Sequence, residues 1–249
     1  MKIEILGCSG SVMQGFNTTS ILINDKILID AGSVMSVLPD SALARIKDIL
    51  ITHPHMDHIK ELPFFVDALF ARKAKGLRIM GSRETIEALK THVFNGLLWP
   101  DIERLYSDRS CLRLEPVESD WFDLDGIRVK AFAESHIRGS IGYVLCEEGK
   151  KVLFTGDTGF HKDLFDLIKS LGSDLKACFI EASFPSSMGD LAAVTRHMTP
   201  ELIMKGLNGD LSPSTRIIIY HMKPKHMEEV VAELPQRYEY IRGGEVITI

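Results

Sequence analysis

Short, nearly continuous apolar runs punctuate the chain, among them Ile27-Leu28-Ile29, Ile49-Leu50-Ile51, Val152-Leu153-Phe154 and Ile217-Ile218-Ile219. Runs of this length without polar alternation predict strands covered on both faces. On this basis strands are expected over 2–7, in two pieces over 19–30, and over 49–52, 111–116, 126–134, 140–147, 151–155, 176–181, 215–220 and 245–249. Apolar positions at helical spacing predict helices over 40–47, 60–74, 82–94, 160–170, 199–206 and 226–232, with Ser82 as the N-cap of the third. Residues 95–110 read as irregular. In each half strands run together and then alternate with helices. That order fits an α/β fold in which two sheets pack face to face with helices on the outer faces. No low-complexity linker or solenoid period divides the chain, so 1–249 reads as a single domain.

Composition changes this picture little. With 249 residues, 45% of them hydrophobic and 25% charged, the chain is long enough to bury a core without help from disulfides or metals. A net charge of −5 works against a long nucleic-acid partner, which wants a basic face, although a local patch is compatible with it. The opening MKIEILGCSGS enters a strand-like run rather than a signal peptide, and no apolar segment approaches the ~18 residues of a membrane span. A cytoplasmic protein with no membrane partner is expected. Cys8, Cys111, Cys146 and Cys178 are scattered without a CxxC pair, which predicts free thiols in a reducing compartment, packed as small hydrophobes.

The chemistry concentrates in His53-Pro54-His55-Met56-Asp57-His58, three imidazoles and a carboxylate directly after an apolar strand. In an extended stretch His53 and His55 point the same way. Asp57 and His58 follow where the chain turns toward a helix, so they can face a second point nearby. One segment can thus serve two adjacent metals, which a single-site pattern such as HExxH does not do. Other candidates likewise sit at or just beyond the ends of apolar runs. These are His136 in Ala133-Glu134-Ser135-His136, Asp157 in Thr155-Gly156-Asp157, and His221 after Ile217-Ile218-Ile219-Tyr220. Asp30, followed by Ala31-Gly32, marks another polar strand end.

An HxHxDH segment after a strand, followed in order by these landmarks, resembles the metallo-β-lactamase superfamily. The resemblance implies the αββα sandwich of two mixed sheets. It also implies a ligand assignment: His53, His55 and His136 on one metal, Asp57, His58 and His221 on the other, with Asp157 and a hydroxide bridging. Asp30 would support the ligands from behind. Two divalent ions are expected, zinc first, with manganese or iron compatible with an O/N donor set.

Further stretches resemble a phosphodiesterase branch that contains class II cyclic-nucleotide phosphodiesterases and ribonuclease Z. They are Glu181-Ala182-Ser183-Phe184, His197-Met198-Thr199-Pro200, the Asn95-to-Trp99-Pro100 segment and His221-Met222-Lys223-Pro224. Membership would imply hydrolysis of a 3′,5′-cyclic nucleotide to a 5′-monophosphate by the bridging hydroxide. Asp57, Glu181 and His197 would be the catalytic groups, with His197 protonating the leaving oxygen and Glu181 orienting it. The partner is then a small phosphodiester. Alternatives are a ribonuclease Z-like RNA 3′-processing endonuclease, an arylsulfatase-like hydrolase and a non-catalytic metal-bearing binding protein. The resemblance also suggests a homodimer through 92–108. Trp99 is weighed equally between stacking on a base and packing. His161 is read first as a surface residue and second as a pocket residue, and His92 and His226 as surface. Met198, Met222 and Met227 are expected to pack.

Overall fold

The computed structural model describes residues 1–71, 76–105, 112–208 and 211–249. Cys111, and the parts of the expected helix and irregular stretch at 72–74 and 106–110, lie outside these residues. Two seven-stranded sheets form the body. One runs edge to edge through Val246–Thr248, Lys2–Gly7, Ser20–Ile23, Ile27–Ile29, Asp48–Leu50, Leu77–Gly81 and Leu112–Pro116. The other runs through Tyr238–Tyr240, Arg216–Tyr220, Leu175–Glu181, Lys150–Phe154, Ile141–Glu147, Ile127–Ala133 and Phe122–Leu124.

Both sheets are mixed, and both are built alike. Each begins with antiparallel neighbours in chain order and changes to parallel pairing where helices enter the connections, between Ile27–Ile29 and Asp48–Leu50 in one and between Lys150–Phe154 and Leu175–Glu181 in the other. Parallel neighbours need such crossovers. The last strand, Val246–Thr248, returns to pair with Lys2–Gly7.

The apolar runs are continuous because alternate side chains enter different cores. Ile21, Ile29, Leu50, Phe154, Phe179, Ile218 and Tyr220 meet between the sheets. Their neighbours Leu22, Leu28, Ile49 and Ile51 face outward onto the helix Leu62–Ala71, against Phe65 and Val66. On the other sheet Leu153, Cys178, Ile217 and Ile219 meet Leu164, Phe165 and Ile203 of the helices Lys162–Ser170 and Pro200–Leu207. A polar residue at either parity would give up roughly 1.5–3 kcal/mol of burial.

Several expected elements differ in detail. The helix expected over 40–47 is only Asp40–Leu43, after which the chain turns into Asp48–Leu50. The segment expected as helix 60–74 is preceded by a separate turn of helix, Met56–Ile59, which carries Asp57 and His58. Ser82 caps its helix as expected, its side chain accepting from the Thr85 N–H, and that helix continues into a π-helical turn over Leu89–Val93. Residues 95–110, read as irregular, contain the short helix Ile102–Leu105. The strands Leu77–Gly81, Phe122–Leu124 and Tyr238–Tyr240 and the helix Gly189–Thr195 are additions. No helix among the described residues is long and apolar enough to cross a membrane.

Candidate metal centre

Candidate side chains emerge where strands stop. Asp30 follows Ile27–Ile29, His53 follows Asp48–Leu50, His136 follows Ile127–Ala133, Asp157 follows Lys150–Phe154 and His221 follows Arg216–Tyr220. Glu181 is the last residue of its strand. These are carboxyl ends, the edge where α/β sheets present ligand sites. The backbone turns sharply there: Asp30 and His221 both adopt left-handed φ, +57° and +58°. Such conformations are uncommon for residues other than glycine and cluster at functional sites. Glycine makes room for them. A Cβ on Gly10 would lie 2.9 Å from the His221 ring, and one on Gly32 would lie 2.0 Å from the Asp57 carbonyl oxygen.

The side chains converge as two donor sets that share one carboxylate. His53, His55, His136 and Asp157 form one set, and Asp57, His58, His221 and Asp157 form the other, with the donor atoms of each within 4.8 Å of one another. Asp157 Oδ2 lies 3.7 Å from His53 Nε2 and 3.9 Å from His136 Nε2. Its Oδ1 lies 3.3 Å from His58 Nε2 and 3.2 Å from His221 Nε2. In the first set His136 Nε2 and His55 Nδ1 are 3.1 Å apart; in the second, His58 Nε2 and His221 Nε2 are 3.1 Å apart. His53, His58, His221 and Asp157 are buried, whereas His55 stands at the exposed rim and Asp57 is half-buried.

The cluster is suited to metal ions. His53 Nε2 and Asp157 Oδ1 are buried without a hydrogen-bond partner among the described residues. A buried polar atom left unpaired costs about 1–3 kcal/mol, and a cation would satisfy both. Burial holds the His53 imidazole well below its usual pKa, and the neighbouring His58 adds to the effect. Burial likewise lowers His55 and His136. Neutral imidazole is the form that ligates. For Asp157 burial opposes ionisation, but His221 and His58 outweigh it and hold the carboxyl well below the carboxylate range.

A supporting layer fixes the rings. His58 Nδ1 bonds Asp30 Oδ2 at 2.7 Å, and Asp30 is itself held by the Thr52 N–H and hydroxyl at 2.8 and 2.9 Å. His136 Nδ1 donates to the Arg196 carbonyl at 2.9 Å, while Arg196 Nη1 donates to the His136 carbonyl at 2.8 Å. The Ser183 hydroxyl lies 3.1 Å from His221 Nδ1. Thr52, Ser183 and Arg196 escape sequence reasoning, although each lies in or beside one of the motifs. Asp30→Asn is expected to weaken metal binding by about 10–100-fold, the usual effect of removing such a partner. Competition against a chelating dye measures this; unchanged affinity would mean that His58 needs no such support.

Glu181 and His197 sit beside the shared carboxylate. His197 Nδ1 donates to Glu181 Oε1 at 2.7 Å and lies 4.0 Å from Asp157 Oδ2. Glu181 is fully buried and also accepts from the N–H groups of Thr158 and Ser183 at 3.1 and 2.9 Å. Burial works against a charged His197, but Glu181 outweighs it and raises the imidazole pKa. A hollow of about 660 Å³ opens over this edge, lined by His55, His136, Arg138, Arg196 and His197 among others.

The remaining candidates separate. His92 is exposed, while Met198, Met222 and Met227 are buried in the helix-side packing. His226, expected at the surface, is instead only 19% exposed, with its ring beside Phe184. Trp99 packs edge-on against Phe64, with ring centres 5.0 Å apart, beside the outer core of the first sheet. His161, 22% exposed, lines a second hollow next to the metal cluster and not the one over it.

The family model for class-II cAMP phosphodiesterases matches residues 18–123. A probable 3′,5′-cyclic-nucleotide phosphodiesterase of Yersinia pestis is 24% identical over 279 residues, spanning 91% of this chain and 79% of that protein. Unliganded yeast PDE1 superposes with a TM-score of 0.84 at 19% identity, covering 100% of this chain and 99% of that one. The short form of human tRNase Z superposes with a TM-score of 0.70 at 18% identity, covering 100% and 99%. The two solved structures share the fold.

Proposed function

We propose that this chain, a metallo-β-lactamase-fold member of the class II cyclic-nucleotide phosphodiesterase and ribonuclease Z branch, hydrolyses 3′,5′-cyclic nucleotides to 5′-monophosphates. The observation that carries the reading is the placement of the buried Glu181–His197 pair beside two donor sets joined through Asp157. His53, His55 and His136 would hold one divalent ion, Asp57, His58 and His221 the other, and Asp157 both. Zinc suits the donor chemistry, and manganese or iron also accept it. When bound, such ions supply Lewis acidity toward a phosphoryl group and lower the pKa of water.

The chain's own residues then do the following. Asp57 stands with one carboxylate oxygen 3.4 Å from His221 Nε2 and is the half-buried anion of its donor set. Glu181, locked by two backbone N–H groups, sets the His197 tautomer by accepting a hydrogen bond from Nδ1–H. The other ring nitrogen, Nε2, is left to carry a proton to the departing sugar oxygen. A sugar alkoxide is strongly basic, so this protonation is where a positioned acid helps most. The match to the class-II phosphodiesterase model and the net charge of −5 support a small phosphodiester over a long RNA. A cytoplasmic location suits this substrate.

The test is a panel offered to the metal-loaded protein: cyclic AMP, cyclic GMP, a 2′,3′-cyclic nucleotide, precursor tRNA, an aryl sulfate and a β-lactam. Turnover of a 3′,5′-cyclic nucleotide with little tRNA cleavage is expected. Efficient tRNA 3′ processing without cyclic-nucleotide turnover would replace the reading with an RNA-processing nuclease. Turnover of nothing in the panel would favour a binding protein.

A further inference from the structure

A second hollow, about 620 Å³, lies beside the one over the metal cluster. The two share His136, Ile137, Arg138 and Arg196 in their walls. Its volume falls within the ~300–1,000 Å³ usual for small-molecule sites. Phe132, Leu164 and Leu167 give it apolar wall, and the partly exposed His161 ring gives it a polar group, with Glu134 behind that ring. Apolar wall with a few placed polar atoms is what an organic ring system needs.

The polar pair is built rather than incidental. The Glu134 side chain is fully buried, and its Oε2 lies 2.6 Å from His161 Nε2. Glu134 Oε1 is buried with no hydrogen-bond partner among the described residues. The hydrogen bond fixes the His161 ring by one nitrogen and leaves the other, Nδ1, for a ligand. His161 occupies the N-cap position of the helix Lys162–Ser170, yet its side chain makes no capping bond. Its ring is therefore held by Glu134 and not by a capping bond.

We propose that this hollow takes the base of the nucleotide whose phosphate lies at the metal cluster, with His161 as the base-contacting residue and Glu134 as its positioning residue. The inference deepens the cyclic-nucleotide reading and rests on it. Arg196 stands on the strip between the two hollows, tied to the His136 carbonyl, so a nucleotide spanning both would cross beside its guanidinium. Neither His161 nor Glu134 joins a donor set of the metal cluster, and the phosphodiesterase motifs leave both without a role.

The test separates base binding from catalysis. AMP, GMP and ribose 5-phosphate are titrated calorimetrically into the metal-loaded protein and into its His161→Ala and Glu134→Gln variants, with metal content measured in each. AMP or GMP is expected to bind about 10-fold or more tighter than ribose 5-phosphate, the base supplying the difference. His161→Ala should shrink that preference by about 3–10-fold, the worth of one hydrogen bond, while ribose 5-phosphate binding changes less. Glu134→Gln should shrink it in the same direction by a smaller factor. A purely structural role would weaken all three ligands in proportion, and that result overturns the proposal. So does a wild-type protein that binds AMP and GMP no tighter than ribose 5-phosphate, even if it turns over cyclic nucleotides. Conversely, a base preference that His161→Ala abolishes, in a protein without cyclic-nucleotide turnover, supports this site while rejecting the proposed reaction.

Discussion

Asp157→Ala is expected to lower metal content at both donor sets and to reduce phosphodiester hydrolysis by roughly 10³-fold or more, a loss of several kcal/mol of stabilisation. The expectation follows from the division of the carboxylate. Oδ1 faces His58 and His221 at 3.3 and 3.2 Å, and Oδ2 faces His53 and His136 at 3.7 and 3.9 Å. No other carboxylate among the described residues belongs to both sets. Alanine would therefore leave one set with imidazoles alone and the other with Asp57 as its single anion. The wild-type protein, loaded with zinc or manganese, should give close to two metals per chain by elemental analysis. The variant should fall well below two at concentrations that saturate the wild type. Asp157→Asn keeps the side-chain volume and separates loss of charge from loss of packing, and thermal unfolding of both variants separates loss of metal from loss of fold. A wild-type protein that takes up at most one ion, or an Asp157→Ala variant that retains two, would end the two-set model.

That these side chains would gather was legible in the sequence because most of them lie at or just past the end of an apolar strand, and strand ends of one polarity fall on one edge of a sheet; their division into two sets sharing Asp157 was what the family resemblance implied. The strands leading to Asp30, His53, His136, Asp157, Glu181 and His221 all deliver them at their carboxyl ends. Spacing also anticipated how His53 and His55 would part from Asp57 and His58, since the helix Met56–Ile59 turns the chain between them. The layered fold was legible for a related reason, because a strand buried on both faces cannot alternate.

Where burial and sequence pattern part company, elements went unseen. The helix Gly189–Thr195 buries Ala192 but leaves Leu191 and Val194 exposed at 41% and 82%, so its large apolar residues trace no inward stripe. The edge strand Tyr238–Tyr240 buries only Tyr238, too little to register as a pattern. The Glu134–His161 pair was invisible because its partners lie 27 residues apart and meet only when the segment after Ile127–Ala133 comes beside the start of the helix Lys162–Ser170. His161 alone has the look of a surface histidine, and only the buried carboxylate behind it shows otherwise.

His197→Ala is expected to slow cyclic-nucleotide hydrolysis by roughly 10²–10⁴-fold, the usual contribution of a positioned acid. The two oxygens of Glu181 accept from two backbone N–H groups and from His197 Nδ1. A carboxylate held this firmly fixes both the orientation of the ring and the nitrogen left for substrate. It also raises the imidazole pKa against the opposing effect of burial, which keeps a proton on the ring at higher pH than an ordinary histidine would. What that proton is worth depends on the leaving group. A sugar alkoxide needs it, whereas a nitrophenolate already spreads its charge over the ring. The same variant should therefore lose far less activity on bis(p-nitrophenyl) phosphate. Glu181→Gln should show the same selectivity more weakly, because it alters the imidazole rather than removing it. The competing account has His197 merely packing against its neighbours, including Phe184 and His221, whose ring centres both lie 5.8 Å away. Packing has no preference for one leaving group over another. Loss of a metal would also slow both substrates alike, so metal content must accompany the rates. Equal losses on the two substrates, with the metals retained, would remove His197 from the acid role and leave protonation of the sugar oxygen to water.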